Sequence, residues 1–195
     1  MRNRHNMTIK RDEIALMIVD MQKYFLDRQS HAFVEAGPAI TEKILRLQNL
    51  CLDMNIPLVH TRHLNTDQGS RRMNQWWGDL ITIDSPLSEI TDDLKCADAK
   101  IVTKEQYDAF LDTDLEQWLK NKGVTQLIIT GVLSHLCCET TARSAFMRGF
   151  EVFFTVDGTA SYSEEFHMAT LLNLSHGFAV PVLTSEIIAQ LDNRT

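Results

Sequence analysis

"TQLIITGVLSHLCCETTARSAFMRGFEVFFTVDG", residues 125–158, is the stretch on which the fold turns. It opens on a short β-branched apolar run, "TQLIITG" (125–131), and passes through a turn into "SHLCCETTARSAFMRG" (134–149). There Cys138, Ala142 and Ala145 recur at i, i+4 and i+7, one stripe of a helix. A second apolar run, "EVFFTVDG" (151–158), follows at once. Strand, helix and strand in succession are the repeating unit of an α/β sheet.

The same alternation runs outward in both directions. Further apolar runs stand at "IALMIVD" (14–20), "IPLVHTRHL" (56–64), "AKIVTK" (99–104) and "FAVPVLT" (178–184). Their nearly continuous apolar character fits strands covered on both faces. Helical patterns lie at 38–55, 107–123 and 163–177, besides 134–149, and three of the four close on glycine. Ser163 reads as a helix cap. The expected fold is α/β: a three-layer α/β/α sandwich with right-handed crossovers around a central, mostly parallel six-stranded sheet, Rossmann-like. One domain spans 1–195 on this reading. The segment 65–98 is too long for a plain connection and is therefore functional or partly structured.

Composition sets the class. At 195 residues, 44% hydrophobic and 23% charged, the chain can bury a substantial core. A formal net charge of −7 argues against nucleic acid or an anionic membrane as partner. The start, "MRNRHNMTIKRDE", is basic but lacks the apolar segment of a secretory signal. No stretch approaches the roughly 20 apolar residues of a membrane span. The expected location is cytoplasmic, where Cys51, Cys96, Cys137 and Cys138 would be free thiols. They show no zinc-type spacing.

Ligands of open α/β sheets bind beyond the carboxyl ends of the strands. The first run ends in Asp20, the third in Lys104, and the fourth feeds the turn that delivers Cys137. Taken singly, Asp20 reads equally as a turn cap and Lys104 as a solvated strand end. Cys138 shares the apolar stripe and reads as core. Cys137 shares its line with Thr141, Ser144 and Arg148, so it cannot belong to that face. With Ser134 as N-cap, Cys137 falls at the third helical position, where the helix dipole and a nearby lysine are expected to lower its pKa.

These residues resemble the isochorismatase-like hydrolase superfamily, the cysteine hydrolases. The match runs through "LMIVDMQKYFLD", "PLVHTRHL", "WWGDLI", "IVTKEQYDAF", "LIITGVLSHLCCETTARSAFMRGFEVFFTVDGTAS" and "FAVPVLTSEI". The resemblance implies a catalytic triad of Asp20, Lys104 and Cys137. It also implies a cis peptide between Val132 and Leu133, with the N–H groups of Leu133 and Cys137 as oxyanion donors. Phe25, His63, Trp77, Tyr107 and His135 are the candidates for a substrate pocket; Tyr24, Trp76, Phe110 and Tyr162 are further aromatics near the motifs. Arg71 and Arg72 could neutralise a substrate carboxylate, or form an ordinary exposed charge pair.

Nicotinamidases of the superfamily carry a metal site written D-x-H after the second strand. Here His63 and Asn65 stand in those places, so no metal and no cofactor is expected. His60 and His63 would diverge to opposite faces of their strand. Isochorismatases, which cleave a vinyl ether by acid catalysis from the aspartate, commonly have glycine where this chain has Cys137. The favoured reading is a metal-independent cysteine hydrolase of a small amide or carbamoyl C–N bond. Isochorismate hydrolysis and a non-catalytic binding module are the alternatives. The resemblance also implies a homodimer or homotetramer.

Overall fold

The computed structural model describes residues 8–192, so the basic stretch at 1–7 lies outside the described residues. The sheet comprises β1 (Ile14–Val19), β2 (Leu58–His63), β3 (Lys100–Lys104), β4 (Gln126–Val132), β5 (Glu151–Ala160) and β6 (Val180–Val182). Its strand order is β3-β2-β1-β4-β5-β6, and every pairing is parallel. The helices are α1 (Lys23–Leu26), α2 (Gly37–Asp53), α3 (Met73–Trp77), α4 (Leu115–Asn121), α5 (Glu139–Met147), α6 (Glu164–Gly177) and α7 (Thr184–Asp192).

Alternation along β1 shows why there are three layers. Ile14, Leu16 and Ile18 pack with Ile40, Ile44 and Leu47 of α2 and Ile187 of α7. Ala15, Met17 and Val19 pack on the other face with Leu119 of α4, Ala142 and Ala145 of α5, and Leu174 of α6. A strand so covered has no polar face, hence its unbroken apolar run. β3 departs from the expectation. It lies at the sheet's edge, where Ile101 is 46% exposed while Val102 is buried.

Other differences have local causes. The pattern at 107–123 forms a helix only over Leu115–Asn121. Upstream, Asp108 Oδ1 accepts from Phe110 N (2.9 Å), Thr113 Oγ1 donates to Ala109 O (2.7 Å), and Asp112 takes a left-handed φ of 57°. Such side-chain bonds compete with the helix ladder. The pattern at 134–149 divides into a π-helical turn, Ser134–Cys138, and α5. Leu133, not Ser134, is its N-cap; the Ser134 hydroxyl instead meets His167 Nδ1 at 2.8 Å. Ser163 does cap α6, accepting from Phe166 N. Gly123 and Gly149 end their helices with positive φ, whereas Gly177 is the last residue of α6. The closing helix α7 was not foreseen from the sequence.

The strand order reverses between β1 and β4, which makes a crevice beyond their carboxyl ends. Gly131 lets the two strands meet there: a Cβ on it would stand 2.1 Å from Val19 O, and its φ is +108°. Among the described residues no helix is long and apolar enough to cross a membrane.

Candidate active site

Asp20 directly follows β1 and is fully buried, with a left-handed φ of 48°. Aspartate enters this region more readily than most residues. Here Thr61 of β2 holds it from two sides. The Thr61 hydroxyl oxygen accepts from Asp20 N (3.0 Å), and the hydroxyl donates to Asp20 Oδ1 (2.5 Å). Two residues on, Gln22 ties the turn to its surroundings. Its amide donates to His63 O (3.0 Å) and Ser88 O (2.8 Å), and its Oε1 accepts from His63 N (2.8 Å).

Lys104, the last residue of β3, is 1% exposed. Its Nζ lies 2.7 Å from Asp20 Oδ2, 3.1 Å from Gln106 O, 3.2 Å from His63 Nδ1 and 3.4 Å from Cys137 Sγ. Cys137 arrives from the π turn after β4 and is 6% exposed. The Val132–Leu133 peptide is cis, as the resemblance implied. Cys138 is fully buried in the core with Ala142 and Ala145. The structure thus brings Asp20, Lys104, His63 and Cys137 together.

Burial alone would neutralise the charged groups, but the pair compensates. Burial would raise the Asp20 carboxyl; the Lys104 ammonium leads the opposing interactions, which together hold the group below the ordinary range. Burial likewise opposes the Lys104 charge, and Asp20 together with Cys137 more than restores it. His63 is lowered to about 4, first by burial and then by Lys104. A neutral ring facing an ammonium with Nδ1 must accept there, so its proton sits on Nε2. Cys137 corrects the sequence expectation: burial, then the Asp20 carboxylate, raise the thiol, and Lys104 only partly offsets them. The resting site is therefore carboxylate, ammonium and protonated thiol.

A pocket of about 440 Å³ opens over Cys137. Phe25, Trp77 and Tyr107 line it, with Trp77 Nε1 donating to Tyr107 OH at 2.7 Å. His63 lines it too, as do Tyr24 and Tyr162. His135 does not line it: Nδ1 is bound to Ser161 Oγ (2.6 Å) and the ring stacks on Phe166. Trp76 is 79% exposed and Phe110 stacks on Phe150 in the core. Arg71 is paired with Asp112 (2.6 Å) and Arg72 with Gln75 (2.8 Å), so neither lines the pocket. The segment 65–98 is partly structured and supplies Asn65, Met73, Trp77, Asp79 and Ile81 to the lining. Met73, Asp79 and Ile81 are not marked as lining residues by the sequence, because nothing periodic distinguishes their segment, and Asn65 stood out there only as a missing metal ligand.

Residues 14–186 match the isochorismatase domain model. Over 172 residues the chain is 39% identical to nicotinamidase 3 of Arabidopsis thaliana, covering 85% of this chain and 82% of that one. It is 34% identical to the isochorismatase of Bacillus subtilis over 91% of its own length, spanning 58% of that longer relative. In fold it superposes on a cysteine hydrolase from Pseudomonas syringae with a TM-score of 0.91 at 24% identity, covering 96% of each chain. The zinc-complexed pyrazinamidase of Pyrococcus horikoshii gives 0.78 at 27% identity, over 88% of this chain and 99% of that one. The chain belongs to the isochorismatase family and is a hydrolase.

The zinc in that neighbour invites a test of fit. Ligand atoms of Asp20, His63 and Cys137 lie within 4.8 Å of one another. Yet Lys104 Nζ is within 3.4 Å of an atom of each, so an ammonium already fills the position a cation would take. The Asn65 side chain is spent on Glu105 O and Ile81 N. These residues do not fit a metal ion.

Proposed function

We propose that this chain is a metal-independent cysteine hydrolase that cleaves a small amide or carbamoyl C–N bond through a Cys137 thioester. The observation that carries the reading is the meeting of Asp20, Lys104 and Cys137, all buried, beneath an aromatic-walled pocket. Because the thiol rests protonated, it needs a base in the step that makes it a nucleophile. Asp20 is the ionised partner that takes the thiol proton as the sulfur attacks the carbonyl carbon, and Lys104 holds the thiolate as it forms. The oxyanion would be bound by the N–H groups of Leu133 and Cys137. Asp20 returns the proton to the departing nitrogen, the C–N bond breaks, and amine or ammonia leaves. Water, deprotonated by the same carboxylate, then attacks the thioester and releases the acid and the free thiol.

The resemblance to nicotinamidase 3 supports an amide, and that to the B. subtilis isochorismatase supports the vinyl ether alternative. One feature favours the amide. Isochorismate is a dicarboxylate, and neither lysine nor arginine lines the pocket among the described residues. A small-molecule substrate fits the cavity's size. Apolar side chains exposed on α5 and α6, among them Met147 (75%) and Leu172 (73%), support assembly into a homodimer or homotetramer.

The test is turnover of isochorismate, carbamoyl compounds and simple amides by wild type and Cys137→Ala. Amide hydrolysis abolished in the variant supports the reading. Pyruvate release from isochorismate, undiminished in Cys137→Ala, would overturn it in favour of acid catalysis by Asp20.

A further inference from the structure

The charge of the pocket mouth differs from that of its floor. At the floor stand the 6% exposed thiol and the wholly covered Asp20–Lys104 pair, whose charges compensate. At the mouth stand His31 and Asp79, whose side chains are 69% and 48% exposed, and both line the pocket. Asp79 is not a loose surface carboxylate. Its Oδ2 accepts from Tyr24 OH at 2.7 Å and lies 3.0 Å from His31 Nε2. Tyr24 OH also meets that His31 nitrogen at 3.0 Å. Groups from α1, from the loop after it and from the 65–98 segment thus fix one carboxylate against the pocket wall. No hydrogen bond engages its Oδ1 among the described residues.

The Asp79 carboxylate gives this mouth an anionic group, and among the described residues neither lysine nor arginine lines the pocket beside it. Around it stand the rings of Tyr24, Phe25, Trp77, Tyr107 and Tyr162, a class of side chain whose π systems attract cations. The chain's net charge of −7 works in the same direction at longer range.

We infer that the pocket selects a substrate with an ammonium-type group at the end remote from the scissile bond, and that Asp79 is the specificity-determining residue. The inference rests on the amide reading above and adds the class of amide: a small cationic one, with carboxylated analogues excluded.

Three benzamides of similar shape test it: unsubstituted, para-aminomethyl and para-carboxy. In the wild type kcat/KM should rank cation above neutral above anion. Asp79→Asn should lower the cation-to-neutral ratio about fivefold, the upper end for a half-exposed charge pair. Tyr24→Phe removes a hydrogen bond to Asp79 but keeps the charge, so the cation should remain preferred. A ratio unchanged in Asp79→Asn, or an anion preferred by wild type, overturns the inference. If wild type hydrolyses none of the three, the amide reading has failed on its own. Charge selection is then read by calorimetric binding of benzylamine and benzoate. Benzylamine bound more tightly by wild type and weakened in Asp79→Asn sustains it; equal or reversed binding overturns it.

Discussion

Replacing Lys104 with methionine keeps an apolar stem and removes the ammonium that faces Asp20 at 2.7 Å. Both side chains are 0% exposed, so water cannot take over the interaction. Removing one partner of a buried pair costs about 3–5 kcal/mol. At about 2–4 °C per kcal/mol for a chain of this size, Tm should fall by roughly 6–20 °C at pH 7. The deficit should shrink in acid. In the wild type the folded pKa of Asp20 lies below its ordinary 3.8. Its contribution is therefore present above that value and lost only as pH falls through the lower folded pKa. In the variant the largest opposition to burial is gone, so the folded pKa rises and the carboxylate is a liability at neutral pH that protonation removes. His63, freed from the ammonium that helps to lower it, narrows the gap further. Urea unfolding of both proteins at pH 7 and pH 5 reads the difference. An equal gap at the two pH values would refute the claim that Lys104 compensates an ionised Asp20.

Three further outcomes are expected. Thr61→Val removes the donor to Asp20 Oδ1, so the acid limb of the pH–rate profile should move to higher pH, with about 1–3 kcal/mol of stability lost; an unmoved limb would show that Asp20 does not govern it. Gly131→Ala would drive a Cβ to 2.1 Å from Val19 O at a φ of +108°, costing about 3 kcal/mol or more in denaturant unfolding, and a near-neutral result would contradict the close approach of β1 and β4. His60 is lowered to about 4 by burial, with Nε2 on Gln48 and no partner for Nδ1. Since the unfolded ring protonates near 6.5, stability should decline as pH falls from 6.5 towards 4, on the order of 1.4 kcal/mol per unit, and His60→Leu should lose that share of the slope in urea titrations.

Much of this was legible in the sequence because the clues were abrupt. A charge after an unbroken apolar run, as at Asp20, has nowhere to go but the end of a strand. Cys137 and Cys138 separated because helical spacing assigns only one of them to the apolar stripe. Other features depend on what surrounds a residue. The position of Cys137 near a helix start suggested a lowered thiol pKa, but position says nothing of burial, which dominates. His135 sits in a matching motif, yet its ring is turned to Ser161 and Phe166. Asp79 and His31 are distant in sequence and become one site where Tyr24 and their own direct contact join them.

The provenance of the pocket's parts has an evolutionary consequence. Its floor is fixed by strand ends of a shared sheet, where Gly131 and the left-handed Asp20 leave little room for change. Several of its walls come from the 65–98 segment, which contributes no strand. Substitutions or insertions there can redraw what the pocket admits while the reacting groups stay in register. New specificities can then arise by drift in one excursion of the chain, and a mutagenesis library confined to it is the economical route to altered substrates.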